Sequence, residues 1–352
     1  MNPMALELDV RDVDRTFYAE HVRPMLPERI IDVHTHVWTA EQKRRPAPER
    51  VARWPSRVAD ENPIEHLLET YRRLLPDARV TPLVFSSPTL NAPLAALNAH
   101  VAQGARAHDV PALALTHPDW PAERFEEAIA AGGFLGAKVY LTFAPAYIPA
   151  DEVRIFDFIP PHQLDVLDRR GWLLMLHIPR PGRLGDEVNL AQLVEIDRSW
   201  PNVPVIVAHV GRAYCPENVG RAFEVLAATN LRFDISANTN QEVFRRLLDA
   251  VNPRRVLFGT DLPILRMRTR RICEGGRYIN LVPKGLYGDV SGDPHMREVA
   301  GDEAASLTFF LYEEIAAFAR AAGAAGLTEA DLRAVFHDNA RALLSTAAQE
   351  AS

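Results

Sequence analysis

Short, nearly continuous apolar runs alternate along the chain with segments in which apolar residues recur every three or four positions. Eight such runs lie at residues 29–33, 79–85, 111–116, 136–141, 172–177, 203–209, 231–236 and 255–260. Each run has the pattern of a strand that is buried on both faces, as in a parallel sheet. The segments between them, among them residues 62–75, 189–200 and 240–251, predict amphipathic helices that begin at or near Asn. Eight alternations indicate the α/β class and a closed (β/α)8 TIM barrel.

Two polar segments interrupt this repeat, and both would lie over the C-terminal face of the barrel. They are residues 38–61, after the first predicted strand, and residues 262–301, after the eighth. Active sites of such barrels lie at that face, so both are candidate lids, although solvated loops or oligomer contacts would have the same composition. Residues 303–344 predict helices packed outside the barrel. The chain therefore predicts one domain over residues 1–352, with its barrel core at about 29–261.

Polar side chains end four of the predicted strands. His34 and His36 end the first strand, His177 the fifth, His209 the sixth and Asp261 the eighth. Alternate residues of a strand point the same way, so both histidines of the first strand can face the barrel axis. These ends converge at one mouth, where buried imidazoles and a carboxylate need partners. A divalent cation held by three His and one Asp, with a position left for water, would satisfy them.

Composition and charge exclude several classes of protein. The chain has 39 Lys and Arg against 46 Asp and Glu, a net charge of −7 without long blocks of one sign. This balance argues against a nucleic-acid or anionic-membrane partner. The two cysteines, Cys215 and Cys273, lie far apart in the sequence, so we expect no disulfide and a reducing, cytoplasmic location. We found no apolar run of the roughly 20 residues needed to cross a bilayer.

Four strand-end motifs carry a family resemblance. The motifs "DVHTH", "LLMLHI", "VIVAHVGR" and "VLFGTDLP" resemble those of the amidohydrolase superfamily. The similarity is to the amidohydrolase-related branch that includes aminocarboxymuconate semialdehyde decarboxylase. It implies that His34, His36, His177 and Asp261 ligate one divalent metal, most often zinc, with manganese or iron as alternatives. It also implies that His209 lies beside the metal, where it orients the activated water or polarises the substrate.

Lys138, in the fourth predicted strand, decides how many metals we expect. Many members of the superfamily carry a carboxylated lysine at the end of this strand, bridging two metals. Here three more strand-like residues follow Lys138, which favours a single metal with Lys138 as a polar wall that contacts substrate. A second, bridged metal is the alternative.

The ligand set predicts a hydrolase. A bound divalent ion lowers the pKa of its water from about 16 towards 7. Asp261 can accept the proton of that water and pass it to the leaving group, while His209 stabilises the developing oxyanion. The expected reaction is hydrolysis of an amide or lactone. Non-oxidative decarboxylation on the same residues is the alternative, and a metal-binding barrel without catalysis is a third.

Arginines close to the metal-ligand motifs predict the substrate class. Arg180 and Arg212 follow His177 and His209, and a guanidinium fork suits a carboxylate. For Arg183, a salt bridge to acidic residues of a neighbouring loop explains the residue at least as well as a contact with substrate. The run at 266–277 adds five further arginines, which form either a basic lid or a solvated or subunit-facing loop; they are Arg266, Arg268, Arg270, Arg271 and Arg277. Trp38 and Tyr140 are candidate pocket walls or packing residues. We expect a small anionic substrate, with a homodimer left open as the assembly.

Overall fold

The computed structural model describes residues 6–43, 55–88 and 93–350, and its centre is a set of eight parallel strands. These are β1 (Arg29–His36), β2 (Arg79–Phe85), β3 (Ala114–Leu115), β4 (Gly136–Val139), β5 (Leu173–Leu176), β6 (Val205–Val207), β7 (Arg232–Asp234) and β8 (Val256–Leu257). Seven of these strands lie within one predicted run each, and β1 begins with its run and continues three residues further, to His36. The predicted number and order of strands are confirmed.

The strands form a barrel. β1 pairs with β2, and β3 to β8 pair with one another in sequence order. Two parallel bridges join these sheets on both sides, Val84 with Ala112 next to β3 and Thr35 with Leu262 beyond β8. The strands therefore follow one another around a (β/α)8 TIM barrel, as the alternating pattern predicts.

Helices connect the strands and cover the outside of the barrel. They are α1 (Asp12–Phe17), α2 (Ala40–Lys43), α3 (Pro55–Val58), α4 (Ile64–Leu74), α5 (Leu94–His108), α6 (Ala122–Gly132), α7 (Pro161–Arg170), α8 (Glu187–Ser199), α9 (His209–Arg212), α10 (Ala222–Leu226), α11 (Gln241–Ala250), α12 (Gly301–Ala305), α13 (Phe310–Ala324), α14 (Glu329–Arg333) and α15 (Asn339–Glu350). The three predicted helices correspond to α4, α8 and α11. Across the described ranges, no helix is long and apolar enough to cross a membrane.

Side chains of the barrel strands alternate between an inner and an outer apolar cluster. On β5, Leu173 and Met175 belong to the inner cluster, and Leu174 and Leu176 pack outwards against the helices. Lys138 of β4 is paired in register with Met175, so it is also directed into the barrel. The alternation brings a lysine into an otherwise apolar interior.

The insertion at 262–301 contains three strands. The sequence analysis predicted a polar loop there and missed these strands. Strands β9 (Arg270–Glu274) and β10 (Arg277–Pro283) form an antiparallel hairpin, and β11 (Met296–Val299) pairs parallel to β10. The hairpin turns at Gly275 and Gly276, whose φ angles of 56° and 74° favour glycine. In the other insertion, 38–61, residues 44–54 lie outside the described residues.

The two cysteines form a disulfide between the insertion and the loop after β6. The Cα atoms of Cys215 and Cys273 are 5.9 Å apart, although 58 residues separate them in sequence. The expectation that they remain unpaired is wrong. Sequence separation does not limit pairing when β9 folds back beside the loop that carries Cys215.

Candidate metal centre and active site

Seven polar side chains meet at the C-terminal ends of the barrel strands. Six were expected from the sequence, five at the metal centre and Lys138 of β4 as a wall residue, and Asp234 at the end of β7 joins them. The set is His34, His36, Lys138, His177, His209, Asp234 and Asp261. The site is therefore built by six of the eight strands, because the carboxyl ends of parallel strands open onto the same face.

His34, His36 and Asp261 bring their ligand atoms together. His36 Nε2 lies 3.0 Å from Asp261 Oδ1, and His34 Nε2 lies 3.7 Å from the same oxygen. One nitrogen or oxygen from each residue lies within 4.8 Å of the other two, a spacing that could hold one metal ion. The side chain of Asp261 is 16% exposed to solvent and that of His34 is 1% exposed. Asp261 therefore faces the open side of the centre.

Asp234 orients two of the histidines. Its Oδ2 accepts from His34 Nδ1 at 2.9 Å, and its Oδ1 accepts from the backbone N–H of His209 at 2.8 Å. With Nδ1–H committed to Asp234, His34 turns its Nε2 lone pair towards Asp261. A carboxylate that fixes the tautomer of a metal-ligating histidine is a common supporting contact.

His209 is held so that its Nε2 is a proton acceptor. Ser236 Oγ donates to Asp234, so His209 Nδ1–H donates to Ser236, at 2.9 Å from its Oγ and 3.2 Å from its carbonyl. The neutral ring then has a lone pair on Nε2. The oxyanion role expected from the sequence requires the protonated ring, whereas burial lowers the pKa of His209.

His177 and Lys138 complete the wall of the centre. The His177 ring centroid lies 5.0 Å from that of His209. The His177 Nδ1 and the Lys138 Nζ are buried, and neither has a hydrogen-bond partner in the described parts of the chain. Lys138 Nζ lies over the rings of Phe85 and Tyr140, 5.3 and 4.9 Å from their centroids. Burial lowers its pKa to about 8, against the opposing effect of two carboxylates.

The protonation states suit a metal. Burial lowers the pKa of His34, His177 and His209, so these imidazoles are neutral near pH 7. Burial raises the pKa of Asp261, but the hydrogen bond from His36 and the neighbouring rings outweigh it and lower the pKa to about 2. Neutral imidazoles and an ionised carboxylate are the forms that ligate divalent metals. The unpartnered nitrogens of His177 and Lys138 also fit a further group bound at this centre.

The residues predicted to bind substrate lie in different surroundings. Arg180 Nε pairs with Asp186 at 3.1 Å, the residue that caps α8. Arg212 Nη1 donates to two backbone carbonyls after β5, at 2.9 Å each. Trp38 is buried, and its indole N–H donates to the carbonyl of Asp60. Arg180 therefore has a carboxylate partner, whereas Arg212 has no carboxylate within 4 Å among the described residues.

One of the five arginines at 266–277 lies near the centre, with one tyrosine between them. Arg271 on β9 lies with its Cζ 4.5 Å from the ring centroids of Tyr214 and Tyr278, and Tyr214 lies 6.5 Å from the ring of His209. The other four have contacts elsewhere or face solvent: Arg266 donates to Asn62, Arg268 pairs with Asp14, Arg270 lies near Glu313, and Arg277 is exposed. The basic-lid hypothesis therefore applies to Arg271 alone.

The sequence of this chain matches the model of one known protein family. The family model described as "Amidohydrolase" matches residues 31–346, nearly the whole chain. The chain belongs to the amidohydrolase family. A search of curated proteins gives no match.

Solved structures with the same fold are distant in sequence from this amidohydrolase. A 2,6-dihydroxybenzoate decarboxylase in complex with 2,6-dihydroxybenzoate is 13% identical, with a TM-score of 0.54, covering 91% of this chain and all of that one. A 5-carboxyvanillate decarboxylase from Novosphingobium aromaticivorans with bound manganese is 10% identical, with a TM-score of 0.53, covering 90% and 97%. A dihydroxybenzoic acid decarboxylase from Polaromonas, also with manganese, is 12% identical, with a TM-score of 0.51, covering 91% and 97%. These likenesses establish the barrel fold.

Two site residues of the amidohydrolase were missed in the sequence. Asp234 and Ser236 lie in and just after β7, within the predicted strand "LRFDIS". The rule that selected the four metal-site strands, polar residues at a strand end, applies equally here.

Left-handed backbone occurs at several site residues of the amidohydrolase. His209, Val210 and Arg212 have φ of 57°, 50° and 57°, and Asp261 has φ of 60°. Non-glycine residues, and β-branched ones above all, rarely adopt this region, and such strain clusters at functional sites. With Gly211, whose φ is 61°, these residues make α9 a left-handed turn at the mouth of the barrel, and this turn directs His209 into the centre directly after β6.

Proposed function

We propose that this amidohydrolase is a metal-dependent, non-oxidative decarboxylase of a small anionic acid. The observation that supports this is a set of guanidiniums near the metal-ligand set that have no carboxylate partner among the described residues: Arg183, Arg212 and Arg271. Buried or half-buried cations are costly unless an anion accompanies them, so these residues support an anionic substrate. The decarboxylases that share the barrel fold make decarboxylation the first candidate.

One divalent metal completes the proposed site. His34, His36, His177 and Asp261 would hold it, and Nε2 of His209 would face it. When bound, the cation supplies Lewis-acid polarisation of a substrate oxygen or acidifies a water. The nitrogen and oxygen donors suit zinc, and manganese is the metal in two of the solved decarboxylases.

The proton chemistry is assigned to Asp261. Asp261 is ionised in the free site, so it receives a proton from the acidic substrate as the substrate binds. The C–C bond to the carboxylate breaks, CO2 leaves, and the electron pair stays on the substrate carbon. Asp261 then delivers its proton to that carbon, which balances the reaction. His209 orients the substrate by accepting a hydrogen bond at Nε2.

Hydrolysis of an amide or lactone is the second candidate. Its support is the presence of two proton acceptors, Asp261 Oδ and His209 Nε2, at the same centre. In that reaction one of them takes the proton of an attacking water, and the leaving group receives it. The same residues thus serve both reactions, and the products distinguish them.

The reaction type is tested by its products. We expect metal-loaded protein to release one CO2 per molecule of aromatic product from 2,6-dihydroxybenzoate, 5-carboxyvanillate or related hydroxylated acids, measured by gas chromatography and absorbance. A parallel panel of lactones and N-acyl amino acids is followed by acid release in a pH-stat. Acid release from this second panel, with no CO2 from any acid, would contradict the decarboxylase and support the hydrolase.

Metal stoichiometry tests whether Lys138 bridges a second ion. The buried Nζ of Lys138 lies between two aromatic rings, so we expect one equivalent of divalent metal per chain by elemental analysis. Lys138→Met should keep that one equivalent, because the metal ligands remain. Two equivalents in the unmodified protein, falling to one or none in Lys138→Met, would instead establish the carboxylated bridge.

A further inference from the structure

The insertion brings close to the metal centre a guanidinium that has no ion-pair partner among the described residues. Arg271 has its Nε bonded to Asn280 Oδ1 at 2.8 Å and its Nη1 bonded to the carbonyl of Ala237. Its Nη2 has no hydrogen-bond partner in the described parts of the chain, and no carboxylate lies within 4 Å of the side chain. The guanidinium is therefore oriented by two fixed contacts while one edge stays available.

Three aromatic rings surround this guanidinium. Arg271 Cζ lies 4.5 Å from the centroids of Tyr214, Tyr278 and Phe310. Such contacts with aromatic rings restrict the rotation of the side chain, while Nη2 stays available to an anion. The position of the guanidinium is thus preorganised before any ligand binds.

A second guanidinium faces the same tyrosines. Arg183 Cζ lies 5.0 Å from the Tyr214 centroid and 5.1 Å from the Tyr278 centroid, and Arg183 Nη1 donates to the carbonyl of Arg212. Two like charges gathered around one pair of rings repel each other. Neither has a carboxylate within 4 Å among the residues described. A ligand anion would relieve both the repulsion and the loss of hydration.

The disulfide joins the two walls of this cluster. Cys273 lies two residues after Arg271 on β9, and Cys215 directly follows Tyr214. The bond therefore ties the strand that carries the guanidinium to the loop that carries the stacking ring. Because that loop begins at His209, the cluster has a fixed position relative to the metal centre.

We propose that Arg271, with Arg183, binds a second carboxylate of the substrate, remote from the group that reacts at the metal centre. The inference rests on the proposed function, and it narrows the substrate class to small dicarboxylic acids with a planar body. A planar body suits a centre whose wall is formed by the rings of Tyr214, His209 and His177. Metal and arginine would then hold opposite ends of one molecule, which fixes its orientation.

Calorimetric titration of the metal-loaded full chain tests this without turnover. The probes are isophthalate, a planar dicarboxylate, and benzoate, which lacks the second carboxylate. We expect Arg271→Met to weaken isophthalate binding about tenfold or more and to leave benzoate binding within about twofold. Arg277→Met is the matched control, since it removes one exposed arginine from the same hairpin, and its isophthalate affinity should stay near that of the unmodified protein.

Several results would overturn the proposal. They are failure of the unmodified protein to bind isophthalate, equal isophthalate affinity in Arg271→Met, an equal loss in Arg277→Met, or tighter binding of inorganic phosphate than of isophthalate. If Arg271→Met does not fold, Arg271→Lys keeps the charge but loses the planar fork, and it should still weaken isophthalate binding severalfold. Arginine-dependent isophthalate binding in a protein that releases no CO2 would refute the reaction and keep the subsite.

Discussion

Asp261→Asn is expected to lower kcat by about 10³-fold in metal-loaded protein. Asn keeps the shape of the side chain and one oxygen that can face a metal, but it cannot take up and deliver a proton. The carboxylate of Asp261 lies 3.0 Å from His36 Nε2 and is ionised in the free site, so it is the group poised to carry the proton. The measurement is the rate of CO2 release at saturating substrate, with bound metal determined on the same sample.

The bound metal separates two roles of Asp261. If the variant retains its metal and loses turnover, the proton role is supported. If metal and turnover disappear together at every metal concentration, Asp261 acts as a ligand and the proton role loses its support. Unchanged turnover in a metal-loaded variant would contradict both the decarboxylase and the hydrolase mechanism. Asp249→Asn, an exposed carboxylate on α11, is the control for the loss of one charge.

The barrel was predictable because its signal is local. A strand of a closed parallel barrel is buried on both faces, so it appears in the sequence as an apolar run whatever lies far away. Strand-end polar residues follow from the same runs, which explains why His34, His36, His209 and Asp261 could be selected. The bounds were less predictable, since β3 and β8 pair over only two residues each.

The substrate side of the site was much less predictable, because it depends on contacts between distant segments. Arg180 and Arg271 are equivalent in a sequence reading, as arginines near metal-site motifs. The structure separates them through Asp186, which pairs with Arg180, and through the fold of the insertion, which brings Arg271 beside Tyr214. The Cys215–Cys273 pairing arises from that same fold.

Asp234 is a supporting residue that positions two histidines of the proposed metal site. It is fully buried, and it bonds His34 Nδ1, the backbone of His209 and Ser236. One carboxylate therefore sets the tautomer of a proposed ligand and the position of a proposed acceptor. Removing it changes the metal site without removing any ligand.

Asp234→Asn is therefore expected to weaken metal affinity by about 10- to 100-fold and to lower turnover with it. Asn keeps only one carbonyl oxygen as an acceptor, so its amide N–H₂ faces either His34 Nδ1–H or the His209 backbone N–H, and that donor is left buried without a partner. The measurement is a competition titration against a chromophoric chelator, with folding checked by the melting temperature. Ser236→Ala is the matched variant: it removes a partner of His209 Nδ1 and leaves the 2.9 Å bond from His34 to Asp234. We expect it to lower turnover with a smaller loss of metal affinity. Equal metal affinity in Asp234→Asn and the unmodified protein would contradict the assignment of His34 as a ligand held by Asp234.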